Sequence, residues 1–103
     1  MTSGDGSLLR TAAERLELLA GGTTAGDWRT GGLLASRPEV IAHYPDGSTE
    51  HVAEARAGTA RWITALSPAI AGPLTAWLRS AADGDAKDPA AVALARTLLD
   101  RLS

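Results

Sequence analysis

The sequence predicts an α+β domain: an N-terminal helix, a β-hairpin or short three-stranded meander, then two to three helices packed on the sheet. Three observations lead there. Large apolar residues recur at gaps of three and four near the N-terminus, across residues 59–82 and after Asp88, the spacing that lines one face of a helix. Residues 39–44 (EVIAHY) and 49–53 (TEHVA) flank Tyr44-Pro45-Asp46-Gly47, a turn sequence joining two strands. The chain has 103 residues, 45% of them apolar and 21% charged, which suits one core and not two. Residues 1–6 (MTSGDG) are expected to be a disordered tail, and residues 7–103 a single small domain.

The elements follow in order. Ser7 is a candidate N-cap for a first helix to about Ala20, with an apolar stripe of Leu9, Ala12, Ala13, Leu16, Leu19 and Ala20. Gly21-Gly22 stops it, the first glycine suiting the left-handed position after a helix. Residues 23–32 read as a loop centred on Trp28, a side chain that either plugs the core edge or grips a partner. In the hairpin, Pro45 presets the turn and Gly47 takes the positive φ that follows. That turn pairs Tyr44 with Ser48, His43 with Thr49 and Ile41 with His51. Val40, Ala42, Tyr44, Ser48, Glu50 and Val52 then share one face; Ile41, His43, Thr49 and His51 share the other. Residues 32–36 (GLLAS) are the candidate third strand, interrupted by Arg37-Pro38.

Residues 59–82 hold two of the three tryptophans and more large apolar surface than any other segment. Ile63, Leu66, Ile70, Leu74 and Trp77 are its predicted core face. Ser67-Pro68 has the form of an N-cap followed by the first helical residue and breaks the segment in two. Pro73 would then lie inside the second helix, remove the bond to Ala69 and bend it. Asp88-Pro89 repeats the capping pair and opens a last helix to about Leu102, with Ala91, Val92, Ala95, Leu98, Leu99 and Leu102 as its stripe.

Composition narrows the chemistry. Formal charge is −2 and the pI about 5.6, so the whole molecule is not drawn to nucleic acid or anionic lipid. There is no cysteine, which removes disulfides, thiolate catalysis and Cys-based zinc sites. The first residues lack the basic and apolar regions of a signal peptide, and no apolar run approaches the roughly 20 residues that span a bilayer. The expectation is a cytoplasmic protein. Twenty-one alanines, with nine arginines against one lysine, point to a high-GC genome such as that of an actinobacterium or its phages.

Candidate sites are few. His43 and His51 share a hairpin face, with Glu39 or Asp46 the near carboxylates, but the spacing matches no established metal site. The motifs of nucleophilic, phosphate-binding and zinc-hydrolase chemistry are missing, so no catalytic, cofactor-binding or metal-ligating residue is assigned, and the chain reads as non-enzymatic. Arg29, Arg37, Arg56, Arg61 and Arg79 are the material for a basic patch, although no helix carries a basic face and helix-turn-helix spacing is not evident. Trp62 adjoins Ile63 and therefore points about 100° away from it on a helix. Trp62, Trp28 and the Val92 and Leu99 face of the last helix are the candidate interaction surface, the alternative being that they are core.

The order of features resembles small accessory proteins of phages and prophages, including the Ead-type early-region proteins of lambdoid phages and short actinophage proteins. Residues 9–19 resemble their Leu/Ala/Glu helix, Thr24-Ala25-Gly26-Asp27-Trp28 their Ala-Thr-Pro-Gly-Pro-Trp element, and residues 59–68 (TARWITALSP) their Asp-Ala-x-Phe-Ile-Ala-x-x-x-Pro helix. Ala25 and Asp27 stand where that family has prolines, Thr59 where it has Asp and Trp62 where it has Phe. The resemblance implies a phage or mobile-element accessory protein that acts by binding a host or phage protein or a second copy of itself, as a homo-oligomer, without cofactor or membrane. A small nucleic-acid-binding regulator is the alternative.

Overall fold

A computed structural model describes residues 3–31 and 38–102, and the fold is α+β. In chain order the elements are α1 (Ser3–Gly21), β1 (Asp27–Gly31), β2 (Glu39–His43), β3 (Thr49–Glu54), α2 (Ala57–Ala65), a 3-10 turn (Pro68–Ile70), α3 (Ala71–Asp83) and α4 (Pro89–Leu102). The chain divides into two compact units, one of Met1–Gly22 with Ala71–Ser103 and one of Thr23–Ile70. No helix among the described residues is long and apolar enough to cross a membrane.

In the helical unit α1 packs against both α3 and α4. Leu9, Ala12, Ala13, Leu78, Ala82, Ala91 and Ala95 form its buried core, with Leu8, Leu74, Val92, Leu98 and Leu99 packed around it. Alanine dominates that core, so the helices meet closely and Leu9 and Leu78 fill most of the remaining space. Helix α1 starts at Ser3, a turn before the expected Ser7. Packing overrides the poor helical propensity of Gly6, which is buried where an added Cβ would lie 3.5 Å from the Ala82 carbonyl. Asp5 in this first turn suits the positive end of the helix. At the other end Gly21 remains helical, and the Gly22 N–H donates to both Leu18 and Leu19 carbonyls, at 3.2 and 3.1 Å. A shared bond, and not a left-handed glycine, closes the helix. Leu19, expected in the stripe, is 56% exposed.

Helix α4 is capped as its sequence implies. The Asp88 carboxylate accepts the Ala90 N–H at 3.0 Å, and Pro89 occupies the first position. Just before it, the Lys87 ammonium donates to the Ala82 carbonyl at 2.6 Å and to the Gly84 carbonyl, satisfying acceptors at the end of α3.

The second unit is an antiparallel sheet of order β1-β2-β3 packed by α2. Its hairpin has the expected register, with His43 opposite Thr49 and Ile41 opposite His51, while the Tyr44 N–H donates to the Ser48 carbonyl at 3.0 Å. Gly47 has φ +88, and the Asp46 carboxylate accepts from the Ser48 N–H and hydroxyl. A bulge then shifts the ladder between Val40 and Ile41, so Ala53, not Val52, lies opposite Val40. Asp27–Gly31, read as loop, forms the described third strand, with Trp28 opposite Ala42 and Thr30 opposite Val40. The candidate strand at residues 32–36 lies outside the described residues. Gly26 makes the entry to β1, its φ of +93 setting it against the His43 carbonyl.

The apolar face predicted across residues 59–82 is not one face. The Ser67-Pro68 break is present, but the 3-10 turn behind it resets the helical phase. In α3 the buried residues are Ala71, Thr75, Leu78 and Ala82. Leu66, Ile70 and Trp77 are 50%, 40% and 42% exposed, and Ile63 and Leu74 are half-buried. Pro73 falls in the first turn of α3, where an N–H has no partner within the helix, so the proline is accommodated there.

Candidate functional site

Helix α2 is built to bury a small residue and expose a large one. Ala60 is fully buried, and Ile63 and Thr64 flank it. Trp62 is two residues from Ala60, about 200° around the helix, and so points outward; it is 68% exposed. Leu66 lies four residues on, beside Trp62, and the Leu66 N–H still donates to the Trp62 carbonyl at 3.1 Å. Gly58, Thr59 and Ala65 on the same outward side are small and exposed, which leaves the indole and the leucine standing clear. Ile70 on the following 3-10 turn is the third exposed large apolar residue among the described residues of this unit.

The charged residues of α2 and its N-cap have one sign. No acidic residue occurs between Glu54 and Asp83, while Arg56 at the N-cap of α2 and Arg61 next to Trp62 are exposed. Elsewhere Arg10 is compensated by Asp83 and Arg29 by Asp27, each at 2.8 Å, Arg79 by Glu17, and Arg96 by Asp5 at 3.8 Å, while Arg15 and Arg101 of the helical unit make no ion pair among the described residues. Among the described residues the Arg56 and Arg61 side chains make no ion pair.

The other candidates separate. Trp28 is half-buried on β1, and its indole N–H donates to the Thr24 carbonyl at 3.0 Å, fastening the loop that leads into the strand. Val92 and Leu99 belong to the helical unit, half-buried against its core. The four residues named from the sequence are therefore not one site: Trp62 and Trp28 lie in one unit, Val92 and Leu99 in the other. Leu66 and Ile70, read as core, join Trp62 among the exposed residues of the sheet unit. The signal was present for Leu66, which stands four residues after Trp62.

Polar clusters elsewhere are internally matched. The His51 imidazole sits 3.1 Å from the Glu39 carboxylate, and no group of three potential ligands is placed to hold a metal among the described residues. The Tyr44 hydroxyl donates to Glu50 at 3.2 Å; burial first, and then that carboxylate, push its pKa upward. In the helical unit a groove lined by Arg10, Glu14, Arg79, Asp83 and Lys87 is charged, but Arg10, Arg79 and Lys87 already have partners in the chain. The Arg79 guanidinium holds the Glu17 carboxyl below its ordinary value, and Glu17 in turn raises Arg79.

No family model, curated protein or solved structure matches this chain.

Proposed function

We propose that the protein is a non-enzymatic binding module of the cytoplasm, an accessory protein of the phage or mobile-element type, which acts by contacting another protein or a second copy of itself. The observation that carries this reading is the outward face of α2, where a tryptophan 68% exposed stands beside a half-exposed leucine. Large aromatic side chains are costly to leave in water and are enriched at the centres of protein interfaces. Ala60, and not Trp62, is the buried residue of α2. The short-motif resemblance of residues 59–68 to phage accessory proteins supports the same reading.

The test is capture from a lysate of the native host after nuclease treatment, comparing the chain with its Trp62→Ser variant and measuring the mass of the purified chain by light scattering. The module reading predicts a protein partner, or a dimer, that survives nuclease and is lost with Trp62→Ser. Recovery that disappears with nuclease would instead support the second reading, a small nucleic-acid-binding regulator, for which Arg56 at the N-cap of α2 and Arg61 within it, neither in an ion pair among the described residues, are the favourable observation.

A further inference from the structure

The α2 surface combines two properties that together select a partner. Its apolar part, Trp62 with Leu66, offers an aromatic anchor and an aliphatic neighbour on adjacent turns, the spacing that an amphipathic segment presents in return. Its charged part, Arg56 and Arg61, lacks a compensating carboxylate among the described residues, whereas Arg29, the other arginine described in this unit, is paired with Asp27. An uncompensated cation beside an exposed apolar patch favours an apolar partner that brings its own anions and disfavours a basic one.

We propose that the outward face of α2, Trp62 and Leu66, docks an acidic amphipathic peptide segment, with its apolar side chains on these two residues and its carboxylates reaching Arg61 and the N-cap Arg56, which flank that face about 100° or more to either side. This rests on the protein-binding reading and names the chemistry of the partner. Single-stranded nucleic acid fits less well. Two arginines neutralise about two phosphates, and the salt-linked term for two contacts is small beside the six to ten of strong nucleic-acid binders; Leu66 adds nothing to base stacking. A second copy of the chain would have to bury on the order of 1,000 Å² in total to associate stably.

The probe is a synthetic helical peptide with leucines at three- and four-residue spacing and glutamates between them. Its counterparts carry lysine or glutamine at every glutamate position, and an oligo-dT strand is the nucleic-acid control. Binding is read by amide chemical shifts of the full chain up to about 1 mM ligand. The expected result is saturable binding of the Glu peptide with shifts centred on α2, at least about tenfold tighter than the Lys peptide. Trp62→Ala should weaken it by about 30-fold, the loss typical of an interface hot spot. The Arg56→Glu, Arg61→Glu double variant should reverse the preference and take the Lys peptide. Equal binding of the Glu and Lys peptides, survival of binding in Trp62→Ala, or no saturable binding to any peptide would overturn the proposal. So would binding of oligo-dT alone, or dimerisation through Trp62 with no peptide bound. Capture of a basic or uncharged protein through Trp62 would overturn the acidic partner and leave the module reading intact.

Discussion

Leu78→Ala tests the packing of the helical unit most sharply, because a chemically identical change at Leu18 supplies the control. Leu78 is 0% exposed and Leu18 is 77% exposed, both in the same unit. Removing three carbons from Leu78 forfeits roughly 2.4 kcal/mol of transfer free energy at about 0.8 per carbon. A cavity term adds to this. The other buried residues of that core are Leu9 and five alanines, Ala12, Ala13, Ala82, Ala91 and Ala95, and alanine methyl groups cannot reach into the space. The expected cost is about 3–4 kcal/mol. Leu18→Ala removes the same carbons mostly from water, so about 0.5 kcal/mol is lost, and the better helical propensity of alanine offsets a few tenths. Urea unfolding followed by far-UV circular dichroism measures both. With a slope of about 2 kcal/mol per molar, Leu78→Ala should lower the midpoint by roughly 1.5–2 M and Leu18→Ala by no more than about 0.3 M. Equal shifts would refute the helical phase described for α1 and α3.

Two further perturbations probe the turns and the surface charges. Gly26→Ala meets both an unfavourable φ of +93 and crowding from the His43 carbonyl at 3.1 Å and the Ala42 Cβ at 3.2 Å, whereas Gly47→Ala meets φ of +88 with open space around it. Both should destabilise, Gly47→Ala by about 1 kcal/mol and Gly26→Ala by more; thermal unfolding orders them, and a smaller loss at Gly26 would contradict the tight entry to β1. Glu17 titrates lower when folded because Arg79 hydrogen-bonds its carboxylate. A depressed folded pKa contributes stability above the unfolded value, near pH 4.3, and that contribution is lost as pH falls through the folded one. Glu17→Gln should therefore lower the urea midpoint at pH 7 and converge on the parent chain at pH 2–3, and a gap independent of pH would exclude the linkage.

How far the sequence revealed this structure depended on whether local chemistry or packing decided each element. Tyr44-Pro45-Asp46-Gly47 and Asp88-Pro89 act through their own backbone and side-chain bonds, and both the hairpin register and the start of α4 came out as read. Strand β1 did not, because Asp27–Gly31 has little β-branched character and gains its strand state by pairing with β2; the alternation of Trp28 and Thr30 was its one local sign. The core of α3 was misread for a different reason. Size drew attention to Ile70 and Trp77, but with alanine-rich neighbours the helices bury the small stripe of Ala71, Thr75, Leu78 and Ala82, and the 3-10 turn broke the phase carried over from α2. The candidate surface was half legible. Adjacency to Ile63 turned Trp62 off the core side, yet only the structure shows that Ala60 is the buried residue of α2 and that Arg56 and Arg61, unlike Arg29 in the same unit, have no ion-pair partner among the described residues.

The most direct test of the account is the emission of Trp62 alone, in a chain carrying Trp28→Phe and Trp77→Phe, during titration with the Glu peptide. The free chain should emit as a water-exposed indole, readily quenched by acrylamide, and the emission should move saturably to the blue as the peptide covers it. Blue, unquenched emission before any peptide is added would place Trp62 in the interior, and water-like emission unchanged by the peptide would remove the α2 face as its docking surface.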